Sequence, residues 1–366
     1  MKKTIRFQRS RSESFFKVIN KKINNYFKNN KISRNAGIRT HIKTCVMFIL
    51  YLGPYFLFFT LDFPGWAKLL LAIVMGIGMA GVGMNVMHDA NHGAYSSHTW
   101  INKFLGASMY ILAGNVYNWQ IQHNHLHHGY TNIHDHDEDM DAGRVIRFSR
   151  HAELKRYHRF QHYYAWILYG LLTINWVVNA DFAQTKRYLK RGLGYKGNPP
   201  TYRRQWSTLI GTKLLYIGIW IVIPIVFFTI PWWQVLLGFC IMHYVAGFIL
   251  SIIFQLAHMV GDADMPLPDE TGSMKNTWAI HQLYTTVNFA TNNWLITWYT
   301  GGLNRQIEHH IFPNVCHEHY PIIAKFVKKT AWWSGLPYHE YDSFWQAIVA
   351  HGSYLKQMGQ KPVVTI

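Results

Sequence analysis

Hydrophobic residues are gathered along the chain into long uncharged runs that polar, charged segments separate. The longest run, 214–261, contains no Asp, Glu, Lys or Arg. As an α-helix it would measure about twice the ~30 Å thickness of the hydrocarbon core of a bilayer. Pro231 and Trp232 near its middle suit a turn at the membrane interface, because proline interrupts a helix and tryptophan favours that depth. The pattern predicts two spanning helices, at about 212–230 and 233–256.

A second pair of apolar runs lies nearer the start of the chain. Residues 44–67 contain one charge, Asp62, next to Pro64, and residues 69–87 contain none. This pattern predicts a second hairpin. Its spans are expected at about 44–62 and 66–87. Two hairpins make four crossings, so both termini are expected on the same side of the membrane.

Two further uncharged runs, 104–122 and 160–180, carry polar side chains such as Asn118 and Asn175 at one end. If the first of them crossed the bilayer, the histidines before and after it would face opposite compartments. We therefore interpret both runs as interfacial or re-entrant helices. The predicted fold class is an all-α integral membrane protein with four transmembrane helices in two hairpins, interfacial helices and a cytoplasmic helical cap.

Composition and charge support a membrane protein with a polar portion. Hydrophobic residues make up 49% of the chain and charged residues 15%, against about 25% charged in soluble domains. The net charge is +18, and Glu13 is the only acid in the first 43 residues. Lys and Arg beside a first span mark the cytoplasmic side and attract anionic lipid. Nucleic acid is not an expected partner, because no nucleic-acid-binding motif follows this arm.

These features divide the chain into three predicted parts. They are a basic cytoplasmic segment at 1–43, a membrane-embedded domain at 44–330 and a cytoplasmic C-terminal segment at 331–366.

Three histidine clusters are the strongest chemical signal among the 22 histidines. Residues three or four apart share one face of a helix, so each cluster can direct several imidazoles at one point. Under the four-span topology, all three clusters lie on the cytoplasmic side. The clusters are His88-Asp-Ala-Asn-His92, His123-Asn-His-Leu-His127-His128 and Gln306-Ile-Glu-His309-His310.

Imidazole ligation suits zinc, copper, iron or nickel, so the ligand type leaves the metal open. The ligand number exceeds what one zinc ion uses and is enough for two ions. His258, at the inner end of the last span, is either a further ligand or a hydrogen-bonded core histidine. His243 is expected to be structural. Nearby acids are expected to accept hydrogen bonds from the imidazoles. These acids are Asp89, Asp137, Glu138, Asp139, Asp141 and Glu308.

The motifs HDANH, QHNHLHHGYTN and GGLNRQIEHHIFP resemble those of the membrane fatty acid desaturases, over roughly residues 85–313. The glutamine that begins the third box resembles the front-end type. The resemblance implies a His-bound diiron centre that takes two electrons, binds O2 and leaves a cis double bond in a long-chain acyl group. Family ligands carry over onto the residues of the three boxes. They are His88, His92, His123, His127, His128, His309 and His310, with His258 and Gln306 less closely matched.

The chain lacks the His-Pro-Gly-Gly motif of the fused haem domain that eukaryotic front-end desaturases carry. No bound haem is therefore expected, and a ferredoxin or free cytochrome is the expected electron donor. A basic surface could dock an acidic donor, and binding of anionic phospholipid or of an acyl carrier's phosphates explains the same charges equally well. This predicted surface comprises Arg144, Arg147, Arg150, Lys155, Arg156, Lys186, Arg187, Lys190 and Arg191.

Tyr117, Trp119 and Trp294 are candidates for lining the acyl chain's route, although aromatic residues at such spacing also build ordinary cores. A membrane hydroxylase or ketolase is the alternative enzyme. A metal transporter is the alternative from another class, but transporters place their ligands near the bilayer midplane. Here the clusters lie at the ends of spans and beyond them.

Overall fold

A computed structural model describes the chain at residues 5–9, 14–195, 199–228 and 230–361. Parts of the predicted segments 1–43, 212–230 and 331–366 lie outside the described residues. The chain divides into two compact units. Unit 1 comprises 1–35, 122–165 and 253–366, and unit 2 comprises 36–121 and 166–252.

Helices dominate the described residues. The α-helices are α1 (Phe15–Asn29), α2 (Ile38–Thr60), α3 (Gly65–Val82), α4 (His88–His92), α5 (Thr99–Gly106), α6 (Val116–Trp119), α7 (His128–Tyr130), α8 (Gln161–Tyr169), α9 (Leu172–Asn175), α10 (Asp181–Lys190), α11 (Tyr202–Ile217), α12 (Ile223–Phe227), α13 (Trp232–His258), α14 (Trp278–Thr285), α15 (Trp294–Tyr299), α16 (Gln306–Ile311), α17 (Tyr320–Trp333) and α18 (Phe344–Met358). Wider π-helical segments are Gly83–Met87, Gln120–His127, Trp176–Ala180 and Gly218–Val222. Short 3-10 helices are Ala107–Leu112, Arg156–Phe160 and His317–His319. Two strands, β1 (Asn288–Phe289) and β2 (Glu340–Tyr341), pair in parallel.

Four continuous helical stretches in the described part of the chain are long and apolar enough to cross a bilayer. They are Ile38–Phe58, Gly65–His92, Tyr202–Phe227 and Trp232–His258. The prediction of a mostly helical protein with four candidate spans is confirmed. The arrangement in two hairpins and the cytoplasmic cap stay predictions.

Small residues set the packing of the candidate spans in unit 2. A Cβ atom added at Gly78 of α3 would lie 2.7 Å from the Cα of Tyr51 on α2, and one at Gly76 would lie 2.7 Å from the carbonyl oxygen of Met242 on α13. Such glycines let helix backbones approach closely, which is how helices associate in lipid, where no hydrophobic force drives them together. The close contacts therefore fix how α3 packs against α2 and α13.

The run 104–122 is not one continuous helix. α5 passes into the 3-10 helix Ala107–Leu112, and Ala113 then adopts a left-handed conformation with φ 68°. Asn115 restarts the helix as the N-cap of α6, where its side chain accepts a hydrogen bond from the backbone N–H of Asn118. The interfacial location of the run 104–122 stays a prediction.

The core of unit 1 forms around the amphipathic helix α1. Phe15, Ile19, Ile23 and Phe27 recur every fourth residue and are all buried. They share one apolar cluster with residues of α14, α16 and α17, among them Ile307 of α16. The first helix of the chain therefore supports the helix that carries the third histidine cluster.

Arg147 is buried, so its predicted place on a basic docking surface is wrong. Its side chain is 6% exposed. The guanidinium donates hydrogen bonds to the carbonyl oxygens of Ala152 at 2.8 Å, Met358 at 2.6 Å and Arg150 at 2.6 Å. A buried cation needs polar partners, and these three carbonyl oxygens supply them. The hydrogen bond to Met358 also anchors the end of α18.

Candidate metal site

The second histidine cluster lies on the π-helical segment Gln120–His127 and on α7. A π-helix has i→i+5 hydrogen bonds and a wider turn than an α-helix, so residues five apart come side by side. The Nε2 atoms of His123 and His128 are accordingly 3.3 Å apart. The ring of His127 stacks on that of His123 at a centroid distance of 5.2 Å. This wide turn brings three imidazoles of one short segment together.

Two carboxylates orient this cluster from the following loop. The Nδ1 of His127 lies 2.9 Å from an oxygen of Asp137, and the Nδ1 of His123 lies 3.0 Å from an oxygen of Asp139. Asp137 also accepts the backbone N–H of Asn132 at 2.9 Å. A proton on Nδ1 leaves the lone pair on Nε2, the arrangement that carboxylates impose on metal-binding histidines.

The third cluster lies on α16, after a turn that requires glycine. Gly302 has φ +66°, and a Cβ atom there would lie 3.1 Å from Cδ2 of Tyr320. Because no side chain intervenes, Tyr320 approaches closely, and its hydroxyl lies 3.1 Å from Nδ1 of His309. The turn therefore positions the group that orients His309.

His310 is oriented by a residue of α14. Its Nδ1 lies 2.9 Å from Oε1 of Gln282. The hydroxyl of Thr131, just after α7, lies 2.8 Å from the same oxygen. Gln282 therefore joins the second and third clusters through one amide oxygen.

His258, the last residue of α13, is held through Nδ1 and through its backbone. Its Nδ1 lies 3.3 Å from the carbonyl oxygen of Thr285. The side-chain amide of Asn132 donates to the carbonyl oxygens of His258 at 3.1 Å and Thr285 at 3.3 Å. Asn132 itself has φ 58°, a conformation that asparagine tolerates better than most residues.

His127, His258 and His310 converge in unit 1. One ring nitrogen from each lies within 4.8 Å of the others, and all three side chains are fully buried. Within the described part of the chain, their Nε2 atoms have no hydrogen-bond partner of normal geometry. Buried nitrogens without partners are costly, and a metal ion would satisfy all three. The donor set therefore fits a nitrogen-ligated ion.

A second group in the same unit consists of His128, His309 and His310, again with ligand atoms within 4.8 Å of one another. The rings of His128 and His310 stack at 4.4 Å. His310 thus belongs to both groups. Two adjacent sets of three histidines exceed the needs of one ion.

The surroundings shift the pKa values of two histidines of the cluster in opposite directions. Burial, followed by the neighbouring His128, His127 and His258, holds the pKa of His310 well below its ordinary value. Burial also lowers the pKa of His127, but the Asp137 carboxylate outweighs it and the pKa is raised. Neutral imidazole is the form that binds metal, and a carboxylate partner increases its basicity.

The first cluster lies in unit 2, where the wide turn Gly83–Met87 precedes α4. The rings of His88 and His92 are 4.7 Å apart. Trp119 packs edge-on against both rings, at 5.7 Å and 5.6 Å. Asp89 between them is buried, with an oxygen 3.9 Å from Nδ1 of His88. The structure thus pairs these two histidines, and Trp119 lies against them.

The other predicted site residues have diverse surroundings. Gln306 is buried at the start of α16 and adjoins His258. Glu308 is fully buried, which raises its pKa to about 7, and it accepts hydrogen bonds from Asn288 at 2.8 Å and Tyr338 at 3.0 Å. Glu138 is half-buried in the loop after α7.

Two predicted aromatic residues differ in exposure. Tyr117 is buried, and its hydroxyl donates a hydrogen bond to the carbonyl oxygen of Leu193 at 2.7 Å. Trp294, at the start of α15, is 76% exposed. Their roles toward a substrate stay predictions.

Sequence reasoning missed the polar residues that orient the ligands. Gln282, Tyr320, Thr131 and Asn132 each contact a ligand or its backbone, and none has a distinctive spacing. The threonine and asparagine close the motif QHNHLHHGYTN. That position beside the second cluster was the only available signal.

Comparison with known proteins agrees with the resemblance of the histidine motifs to those of membrane fatty acid desaturases. A family model described as fatty acid desaturase matches residues 64–342. The sn-1 linoleoyl-lipid 6-desaturase of Arthrospira platensis is 34% identical over 353 residues, which cover 96% of this chain and 94% of that protein.

Two other relatives cover almost the whole of this chain. The sn-1 linoleoyl-lipid 6-desaturase of Synechocystis sp. is 34% identical over 360 residues, or 97% of this chain and 98% of that protein. The acyl-lipid (8-3)-desaturase of Physcomitrium patens is 33% identical over 98% of this chain and 74% of that protein.

Proposed function

Because the chain belongs to the fatty acid desaturase family, we propose that it introduces a cis double bond into a long-chain acyl group of a membrane lipid, using O2 and two external electrons. The chain is an oxidoreductase of lipid metabolism and a membrane protein with four apolar helices. The lipid-linked substrate follows the names of its relatives from Arthrospira and Synechocystis. Front-end position, as in linoleoyl 6-desaturation, is further supported by the glutamine that begins the third box.

Iron is the metal that this family uses, and two ions are proposed. The observation that supports this most strongly is the convergence of the buried imidazoles of His127, His258 and His310, whose Nε2 atoms have no partner of normal hydrogen-bond geometry among the described residues. Bound iron supplies O2-dependent oxidation of an unactivated methylene, which acid–base chemistry cannot attack. The proposed ligand set combines the three boxes with their neighbours: His88, His92, His123, His127, His128, His258, His309 and His310, with Gln306 as a further candidate.

The protein's own residues would hold and shield this chemistry. Asp137, Asp139, Gln282 and Tyr320 keep the Nδ1 positions of four histidines occupied. The ligands are therefore preorganised instead of rearranging when metal binds. Burial of the cluster also excludes water, which protects a strong oxidant from side reactions. We propose that Trp119, Tyr117 and Trp294 line the route of the acyl chain.

The proposed electron donor is a separate ferredoxin or cytochrome with an acidic surface. In unit 1, Arg144, Arg150, Arg156 and Arg159 are exposed within one short segment. In unit 2, Lys186, Arg187, Lys190 and Arg191 are exposed at the end of α10 and just after it. Such charges would steer an acidic donor. We further propose that both termini and the metal site face the cytoplasm, following the basic arm at 1–43.

Expression in a bacterial host with a ferredoxin system, fed linoleate, tests the function. Gas chromatography of total fatty acids should reveal a new unsaturated species that disappears in His309→Ala. The matched control is His125→Ala, because His125 is an exposed histidine of the same π-helical segment. Unsaturation that persists in His309→Ala would contradict the ligand set. A product that is only hydroxylated would establish a hydroxylase instead.

Metal analysis of the purified protein tests the ion count separately. Two iron ions per chain are expected, and one or fewer at saturation would refute the binuclear proposal. Separation of lipid classes before chromatography identifies the carrier, and the new double bond should appear first in intact glycerolipid.

A further inference from the structure

Unit 2 contains an apolar cavity that is separate from the first histidine cluster. Its volume is about 330 Å³, within the range of about 300–1,000 Å³ that ligand sites occupy. All four candidate spans contribute to its wall, which is formed mainly by aliphatic and aromatic side chains. They include Tyr55, Leu69, Met75, Trp220, Phe239 and Met242.

The cavity lies toward the ends of the spans that are remote from the histidines. Its wall takes residues of α3 from Gly65 to Met75, whereas His88 follows further along the same helical stretch. At 1.5 Å per residue, Met75 and His88 are about 20 Å apart along that helix. The cavity is therefore distinct from the surroundings of His88 and His92.

Residues typical of the headgroup region surround the mouth of the cavity. Trp66 and Trp233 line it and are 68% and 51% exposed. Tryptophan at the ends of spans marks the depth of the lipid headgroups. Lys68 also lines the cavity, and its ammonium lies 3.3 Å from the carboxylate of Asp62, which is 80% exposed.

We propose that this cavity binds one acyl chain of an anionic phospholipid whose phosphate contacts Lys68. An empty apolar cavity forfeits the dispersion contacts of its lining. Lipid acyl chains are the abundant apolar groups at this depth. An acyl chain gains no hydrophobic free energy when it moves from the bilayer into the cavity, because both surroundings are apolar. Selection therefore depends on the net charge of the headgroup, because a lysine attracts an anionic lipid more strongly than phosphatidylcholine, whose choline cation neutralises its phosphate. The Lys68 ammonium has three N–H donors, and one faces Asp62, which leaves two for a phosphate.

The same geometry gives opposite expectations for the two charged residues. Lys68→Gln removes the cation and should weaken the binding of an anionic lipid by about tenfold, the change that about 1.4 kcal/mol produces. Asp62→Asn removes the competing carboxylate and should strengthen binding. The two signs together test the charge of the bound headgroup, and a variant that fills the cavity tests the position of the acyl chain.

Gly238 offers a way to fill the cavity. Among the described residues, a Cβ atom there meets Ala72 alone, at 3.9 Å, so the side chain of Gly238→Leu would enter the space without displacing the backbone. Gly218→Leu is the matched control, because a Cβ atom at Gly218 has no described atom within 4 Å. Both variants place leucine in a candidate span.

The test uses the full chain in phosphatidylcholine vesicles that contain trace phosphatidylglycerol with a photoactivatable group in its acyl tail. Mass spectrometry of cross-linked peptides should place the label within 65–75 and 233–242. The label should fall about tenfold in Lys68→Gln and in Gly238→Leu, rise in Asp62→Asn and stay unchanged in Gly218→Leu.

Label spread evenly along the spans would overturn the proposal, as would equal labelling by a tail-labelled phosphatidylcholine. Desaturase product is measured in parallel to show that each variant is folded. If Gly238→Leu does not fold, the opposite responses expected of Lys68→Gln and Asp62→Asn still decide the question.

Discussion

At the scale of single residues, the candidate site depends on side chains that never touch a metal. Gln282 is the clearest case, because one amide oxygen contacts both Nδ1 of His310 and the hydroxyl of Thr131. The carbonyl keeps the proton of His310 on Nδ1, so that Nε2 presents its lone pair. Such supporting contacts control the affinity of a site as much as the ligands do.

Gln282→Leu should lower iron affinity by about 10- to 100-fold, because partners of this kind contribute that much. Gln282→Glu keeps an oxygen acceptor opposite His310 and should retain most of the iron. Iron per chain, measured at several free iron concentrations, separates the two variants. Equal affinity in Gln282→Leu and the unaltered protein would show that Gln282 does not orient His310.

The histidines themselves were predictable from the sequence, and their partners were not. Histidines that are close in the sequence, such as His309 and His310, are easily recognised, because a helix places them near one another whatever the fold. Gln282 and Tyr320 reach the site from α14 and α17. Only the packing of those helices brings them near, and a single sequence does not specify that packing.

At the scale of helices, α1 belongs to the basic N-terminal segment and packs against α16, which carries the third histidine cluster. Sequence analysis predicted 1–43 as a basic segment, but the repeat of Phe15, Ile19, Ile23 and Phe27 every fourth residue already signals an apolar helical stripe. An argument based on net charge overlooked the stripe, because three lysines, Lys17, Lys21 and Lys22, lie between these positions. The stripe packs into the cluster that contains Ile307 of α16.

Ile23→Ala should lower the free energy of unfolding by about 2–5 kcal/mol, the usual cost of removing a buried isoleucine side chain. Because α1 and α16 share a core, iron retention on heating should fall as well. Thermal unfolding in detergent, monitored with iron release, measures both effects. Lys21→Ala, at an exposed position of the same helix, should change neither, and a loss of the same size there would contradict the packing argument.

A buried ion pair fixes α11 against α10 in unit 2. Lys213 donates to Oδ2 of Asp181 at 2.5 Å and to the carbonyl oxygen of Trp176 at 2.7 Å. The side-chain amide of Asn118 contacts the same carboxylate at 3.2 Å. Asn118 precedes Trp119, which packs against His88 and His92. The pair therefore stabilises the helix that positions this tryptophan.

Lys213→Met alone should destabilise the protein by about 3–5 kcal/mol, because it leaves the Asp181 carboxylate buried without its cation. The double variant Lys213→Met, Asp181→Asn should recover a large part of that loss, since a neutral pair needs no counter-charge. Thermal unfolding of both single variants and the double variant completes the cycle. Additive losses would show that the two side chains do not interact.

At the scale of the whole molecule, the uncharged runs located the four apolar helices because a charge is costly anywhere in hydrocarbon. The helix that contains the first run begins upstream of it, at Ile38, and includes Arg39 and Lys43. Hydropathy cannot place such an end, because a helix continues into the headgroup region where charges are tolerated.

Removal of the metal should destabilise the whole protein. A ligand present at 1,000 times its dissociation constant stabilises the folded state by about 4 kcal/mol. Without it, the buried Nε2 atoms of His127, His258 and His310 have no partner of normal hydrogen-bond geometry in the part of the chain that the structure describes. Incubation with a chelator should lower the melting temperature, and ferrous iron should restore it. An unchanged melting temperature after the loss of all iron would show that metal and fold are uncoupled.

The π-helical turn Gly83–Met87 makes the length of this helix as important as its sequence. A π-helical turn holds one residue more than an α-helical turn, so deleting Val86 would leave an ordinary α-helix in which His88 and His92 keep nearly their present directions. Insertion of one alanine after Val86 would instead add a second extra residue and rotate His88 and His92 by about 100°, away from the face of Trp119. We expect the insertion to abolish desaturated product in the bacterial assay and the deletion to retain more of it. Along this segment, the gain of one residue would be a more severe mutation than the loss of one.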